Sequence, residues 1–145
     1  MFVSILVAID GSTYAAKALD YAVGLSRKFP SKINLVHVVP IMSTMFPKLA
    51  KSKTECLIDI QANFEEEGKI ILAEGEKTVK LAKLEVEVIL RHGDIADEIL
   101  ETANEVKADL IVVGERGLGT GGRISLGSIA YRVSQHSKCP VLIIR

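Results

Sequence analysis

Several things are scarce or missing in this 145-residue chain, and each narrows what it can be. Aromatic side chains make up only 5%, so a core has to be assembled from Val, Ile, Leu and Ala. There are two cysteines, Cys56 and Cys139, far apart and in no CxxC pair, which indicates neither a zinc site nor a redox motif. Neither sign of charge is in excess: 18 Lys and Arg balance 18 Asp and Glu. Nucleic-acid binders normally carry a basic surplus, so that class is disfavoured, while weak self-repulsion eases association into oligomers. No apolar run is long enough to cross a membrane. The opening Met1-Phe2-Val3-Ser4-Ile5-Leu6-Val7-Ala8-Ile9-Asp10 has no basic leader and soon meets a carboxylate, so it reads as a strand rather than a signal peptide. A protein of the reducing cytoplasm is expected, without membrane or nucleic-acid partners.

What is present suits one domain spanning 1–145. Hydrophobic residues make up 48% and charged residues 25%, close to the average for soluble globular domains. A chain of this length buries roughly two-thirds of the surface it exposes when unfolded, and needs no disulfide or metal to fold.

Short apolar, β-branched runs alternate with helical periodicity. Val3 to Ile9 reads as a buried strand stopped by Asp10-Gly11, with Ser12 as the cap of a helix carrying Ala15, Ala18, Leu19 and Ala22. Ile33 to Val39 is a second strand, ended by Pro40. Ile41 to about Ser52, with Met42, Met45, Phe46 and Pro47, has no clear period and is expected to be a long loop. Thr54 to Leu84 reads as a charged amphipathic helix with potential breaks at Gly68 or Gly75. Val86 to Leu90 is a third strand, and Asp94 caps a helix with Ile95, Ile99, Ala103 and Val106 on one face. Leu110 to Val113, a helix from about Ser128 to Ser137, and a strand over Pro140 to Ile144 complete the pattern. Strands alternating with helices predict an open parallel sheet covered on both faces, with ligands at the carboxyl rim near Asp10, Val39 and Gly114.

The segment from Gly114 to Ser128 carries the strongest chemical signal. Gly117, Gly119 and Gly122 spell a GxGxxG, but the helix begins too late and no strand with a following acidic residue remains. Gly117 to Ile124 approaches a P-loop, but Arg123 and Ile124 replace its Lys and hydroxyl residue. The longer pattern Gly114-x2-Gly117-x9-Gly127-Ser128 fits a polyanion cradle. Its glycines admit close backbone approach, Gly127-Ser128 opens a helix whose free N–H groups favour phosphate, and Arg116 and Arg123 supply charge. The competing reading is a flexible crossover. Glycines alone would leave the two level; the helix start, Ser128 and the arginines shift the balance to binding.

These residues resemble the universal stress protein family over essentially the whole chain. Ile5-Leu6-Val7-Ala8-Ile9-Asp10-Gly11-Ser12 is similar to the family's opening strand and loop, and Leu35-Val36-His37-Val38-Val39 to its second strand. Ala108 to Gly114 is similar to its fourth strand, Gly114-x2-Gly117-x9-Gly127-Ser128 to its ATP-binding branch, and Cys139 to Ile144 to its closing strand. The resemblance implies an open five-stranded parallel sheet with helices on both faces, Rossmann-like and adenine nucleotide alpha hydrolase-like. It implies ATP with Mg or Mn, and a homodimer through Val141, Leu142 and Ile143. The implied nucleotide contacts are Ile9, Asp10, Gly11, Ser12, Val38, Val39, Gly114, Arg116, Gly117, Gly119, Arg123, Gly127, Ser128 and Ile129, with Asp10 near ribose or metal and Val38 or Val39 offering backbone to adenine. Glu115 departs from the family's usual small polar residue, and a carboxylate facing phosphates would weaken binding.

The other polar residues have plain readings. His37 is expected as a satisfied core histidine, and His92 and His136 as surface residues. Glu65-Glu66-Glu67 reads as a solvated helix face. No Ser/His/Asp or Cys/His set and no metal-ligand spacing can be assembled. Three functions compete. The first is an ATP-binding regulatory, stress-response module with unknown protein partners and at most slow hydrolysis or self-phosphorylation. The others are an ATP-using hydrolase or nucleotidyl transferase, and a nucleotide-free interaction scaffold.

Overall fold

The apolar runs become five strands, β1 (Ser4–Ala8), β2 (Lys32–Val39), β3 (Val86–His92), β4 (Leu110–Gly114) and β5 (Val141–Ile144). The helices are α1 (Thr13–Lys28), the single-turn α2 (Met42–Met45) and α3 (Pro47–Ala50), α4 (Thr54–Leu81), α5 (Ile95–Glu105) and α6 (Ser128–His136). The computed structural model describes residues 1–45, 47–50, 54–117 and 127–145. Each strand pairing is parallel, in the order β3-β2-β1-β4-β5.

Strand alternation splits the core into two layers. Ile5, Val7, Ile33, Leu35 and Val112 meet Ala18, Leu19 and Ala22 of α1 and Leu72 and Val79 of α4. On the opposite face Leu6, Val36, Val38 and Ile111 meet Ala96 and Ile99 of α5 and Ala130 and Val133 of α6. Burial on both faces explains why the central strands read as largely apolar runs rather than alternating ones.

Two helix starts follow the cap chemistry. Ser12 Oγ accepts from Ala15 N at 3.1 Å, and Asp94 Oδ1 accepts from Asp97 N at 3.0 Å. Two local expectations are revised. The segment after Pro40 holds the short helices α2 and α3 instead of a loop, with Gln61 of α4 bonding Pro40 O at 3.1 Å and Met42 N at 2.9 Å. Phe46 and Ser52 lie outside the described residues. Helix α4 passes Gly68 and Gly75 without a break. Both glycines are buried because the helix packs its backbone directly on the sheet. A Cβ at Gly75 would lie 2.8 Å from Ile9 Cδ1, and one at Gly68 would lie 2.8 Å from His37 Cδ2.

Candidate functional site

From β1 the chain builds outward through β2 to β3, then returns to place β4 and β5 on the other side of β1. The order reverses between β1 and β4, where the connections leave in opposite directions and the strand ends cannot be covered by one helix. A cavity of about 420 Å³ opens there. Ile9, Asp10, Val38, Gly114, Arg116, Gly117, Gly127, Ser128 and Ile129 all line it, so nine of the expected contacts converge on one crevice. Gly11, Ser12 and Val39 stand behind the wall. Gly11 makes the turn after β1 with φ of +84°, Ser12 is the buried cap of α1, and Val39 O accepts from Gly93 N at 3.1 Å, on the β3 side. Gly119 and Arg123 lie outside the described residues.

The mouth of the crevice is built from backbone. Its glycines have a reason that their spacing alone does not reveal: the chain comes close to itself. A Cβ at Gly114 would sit 2.7 Å from Tyr14 Cβ, at the start of α1. A Cβ at Gly117 would sit 2.4 Å from Asp10 Oδ2, whose other oxygen accepts from Ser12 N at 2.9 Å. A Cβ at Gly127 would sit 2.9 Å from Glu115 O, the same carbonyl that accepts Gly127 N–H at 2.9 Å. That bond ties the end of β4 to the start of α6.

The start of α6 is electropositive by construction. Gly127 is its N-cap and supplies no side-chain cap, and the first turn holds no acidic residue. The amides of the first turn have no intrahelical acceptor, and the macrodipole adds partial positive charge. Beside them Arg116 Nε is buried and has no hydrogen-bond partner among the described residues. A buried guanidinium N–H without an acceptor is costly, and an anionic ligand would satisfy it. Arg132 anchors the same helix to α5, with Nη1 3.1 Å from Asp94 Oδ1 and Nη2 2.9 Å from Asp97 Oδ1. The Asp97 backbone N–H, with help from Arg132, holds the Asp94 carboxyl below its usual range.

Glu115 lies at this end too. Its side chain is 14% exposed and pairs with Arg145, whose Nε lies 3.9 Å from Oε1. Among the described residues no three His, Cys or carboxylate side chains converge as a metal site.

The inner end of the crevice is mostly side chain. Phe64 and Ile71 of α4, Ile95 and Ile99 of α5, and Pro40 form apolar walls, with Glu67 at the edge. His37 also lines this end, and its Nδ1 lies 2.7 Å from Ile9 O. The histidine is satisfied as expected, but it belongs to the cavity wall rather than only to the core. The sequence offered one signal for this end, the glycine of α4 that packs against that ring. His92 and His136 are exposed, and His92 pairs with Glu65, which therefore does more than face solvent.

Comparison with known proteins agrees with this architecture. A model of the universal stress protein family matches residues 1–145. The universal stress protein YxiE of Bacillus subtilis strain 168 is 36% identical, and the alignment covers 100% of both chains. The universal stress protein UspA from Lactobacillus plantarum shares the fold, with a TM-score of 0.85 at 23% identity over 99% of this chain and 97% of that one. A universal stress protein solved in complex with cAMP superposes with a TM-score of 0.73 at 28% identity, covering 99% and 97% of the two chains. The universal stress protein from Archaeoglobus fulgidus in complex with dAMP gives 0.70 at 26% identity, covering 99% and 98%.

Proposed function

The chain belongs to the universal stress protein family, and from that premise we propose that it is an adenine-nucleotide-binding regulatory module whose crevice takes ATP. The observation that carries this reading is the buried Arg116 Nε, without a partner among the described residues, beside the uncapped start of α6 in a crevice walled by glycine backbone. Phosphates would lie at that mouth, held by Arg116, Ser128 and the first amides of α6, and the base would lie at the inner apolar end against Val38. Relatives solved with cAMP and dAMP support an adenine nucleotide in this fold. In this reading Asp10, which lines the crevice, would touch ribose or a divalent ion, and Mg or Mn would be carried chiefly by the nucleotide's own phosphates.

Calorimetry with ATP, AMP, cAMP and NAD tests the reading. ATP should bind with low-micromolar strength or weaker, roughly −8 kcal/mol or less in magnitude. Absence of heat and of a thermal shift with millimolar ATP would refute it. Hydrolysis is expected to be slow at most, and rapid turnover would move the protein into the ATP-using enzymes.

The same reading includes a homodimer through β5. This strand is an edge of the sheet, and Val141, Leu142 and Ile143 are only half-buried. An unpaired apolar edge is a template for an isologous partner. At the opposite edge β3 carries Glu87, bridged to Lys32, and Arg91, bridged to Glu98 and Glu105. Charge guards β3, whereas β5 has only Pro140 and Arg145 at its ends. Replacing Ile143 with Lys should yield monomers in light scattering across a dilution series. Wild-type protein that stays monomeric at high concentration would end the idea.

A further inference from the structure

We propose that His37 is a positioning residue that keeps the backbone N–H of Val38 open to the crevice. The proposal deepens the nucleotide reading and rests on it for the identity of the ligand, but its geometric core does not depend on any ligand.

The ladder between β1 and β2 is regular along its length. Lys32 N donates to Val3 O at 2.9 Å, and at the far end Ile9 N donates to Val36 O at 2.9 Å. In a parallel pair the residues that face one neighbour alternate. Even-numbered residues of β2 therefore face β1, and odd-numbered ones face β3, as Ile33 N to Glu85 O and Gly93 N to Val39 O confirm. The next rung towards β1 would be Val38 N to Ile9 O. The register stops before it, at Ala8 opposite Val36.

Ile9 O is taken instead by His37 Nδ1 at 2.7 Å. A carbonyl only accepts, so Nδ1 carries the hydrogen in this contact. The ring is held in place from the other side by α4, where Gly68 leaves no room for even a methyl group against Cδ2. The imidazole thus supplies the hydrogen bond that would have extended β1 by one rung. Val38 is buried and lines the crevice, so an amide released from that rung would be offered to the cavity. A buried backbone donor directed into a cavity is a ready partner for the edge of a planar base.

The test reads backbone amide exchange by NMR in nucleotide-stripped protein, alongside ATP calorimetry. In wild type, Val38 N–H should exchange about a hundredfold faster than Val36 N–H, which lies inside the ladder. In His37→Phe the ring can no longer bond Ile9 O, the ladder closes, and Val38 should become as protected as Val36. ATP should then bind about tenfold more weakly, the worth of one neutral hydrogen bond. His37→Asn places an amide nitrogen near the position of Nδ1. It should restore fast exchange at Val38 and bring affinity back to within about threefold of wild type, which is small beside the factor of ten at stake.

A wild-type Val38 amide as protected as Val36 overturns the proposal, and this measurement decides even if His37→Phe does not fold. A folded His37→Phe protein with a still-open Val38, or with wild-type affinity, also overturns it. If wild type shows an open Val38 that closes in His37→Phe but takes up no nucleotide, the positioning stands and the nucleotide reading falls.

Discussion

The two ends of the crevice are made of different material. The mouth is backbone: Gly114, Gly117 and Gly127 let β4, the Asp10 turn and α6 approach until a single methyl group would collide. The inner end is side chain, drawn from β2, α4 and α5, with His37, Phe64 and Ile71 on one side and Ile95 and Ile99 on the other. Backbone amides and a helix terminus suit a ligand group recognised by charge, whatever its substituents. A fitted apolar wall suits a group recognised by shape. The two ends should therefore fail differently: mutations at the mouth should cost binding of any phosphate-bearing ligand, and those at the inner end should act through packing.

The largest effect is expected at Gly127→Val. Its side chain would meet Glu115 O, and the bond that seats α6 on the end of β4 could not keep its geometry. ATP, AMP and cAMP should all lose at least about a hundredfold in affinity, since more than about 2.7 kcal/mol of contacts at the helix start is displaced. Circular dichroism checks that the fold survives, and wild-type affinity in a folded variant would show that phosphate binds elsewhere. Ser128→Ala should cost on the order of 1.5–3 kcal/mol if the hydroxyl bonds an anion. An equal loss for adenosine, which has no phosphate, would contradict the division into two ends.

How legible each end was follows from the same difference. Backbone recognition needs glycine at fixed chain positions, so the mouth left a pattern with readable spacing, Gly114-x2-Gly117-x9-Gly127-Ser128. The strands and their parallel order were legible too, because burial on both faces forces continuous apolar runs at Ile5 to Ile9 and Leu110 to Val113, and one at Ile33 to Val36 interrupted by the buried Asn34. The inner end was not, because Phe64, Ile71 and Ile95 come from separate helices and have no common spacing. Any apolar residue of similar size can build such a wall, so nothing marks it locally. His37 looked like a core residue for the same reason. Gly68 and Gly75 raised the prospect of helix breaks, because propensity registers a glycine's cost but not the sheet it packs against.

Helix glycines give a test of that last point, with effects of about 1 kcal/mol. Gly24 in α1 has nothing within 4 Å of where a Cβ would lie. Gly24→Ala should stabilise the protein by about 0.5–1 kcal/mol through helix propensity alone. Gly68→Ala gains the same propensity but must displace the imidazole of His37, which is held by Ile9 O. Its unfolding midpoint in urea should stay level or fall. Equal gains at both positions would mean that the inner wall yields freely, and would remove the rigidity on which the contrast between the two ends depends.

The smallest effect is expected at Glu115, where the two principles meet in one residue. Its backbone belongs to the mouth, with N–H donating to Ile144 O at 2.7 Å and C=O accepting from Gly127 N–H. Its carboxylate is largely enclosed and sits 3.9 Å from Arg145, a side chain that is 88% exposed. A cation so exposed is screened by solvent and does not fully cancel the negative charge. Two unit charges about 7 Å apart interact by about 0.6 kcal/mol in water and about 2.4 kcal/mol at an effective dielectric of 20. Arg145 and solvent place the cost near the lower figure, so Glu115→Ser and Glu115→Gln should each tighten ATP binding about threefold. Because the effect is electrostatic, the gain should be larger for ATP than for AMP, and should shrink towards nothing at about 1 M salt, where the Debye length is about 3 Å. Weaker binding in both variants would reverse the assignment: the carboxylate would then be serving the ligand through a divalent ion, and magnesium dependence lost in Glu115→Gln would identify it.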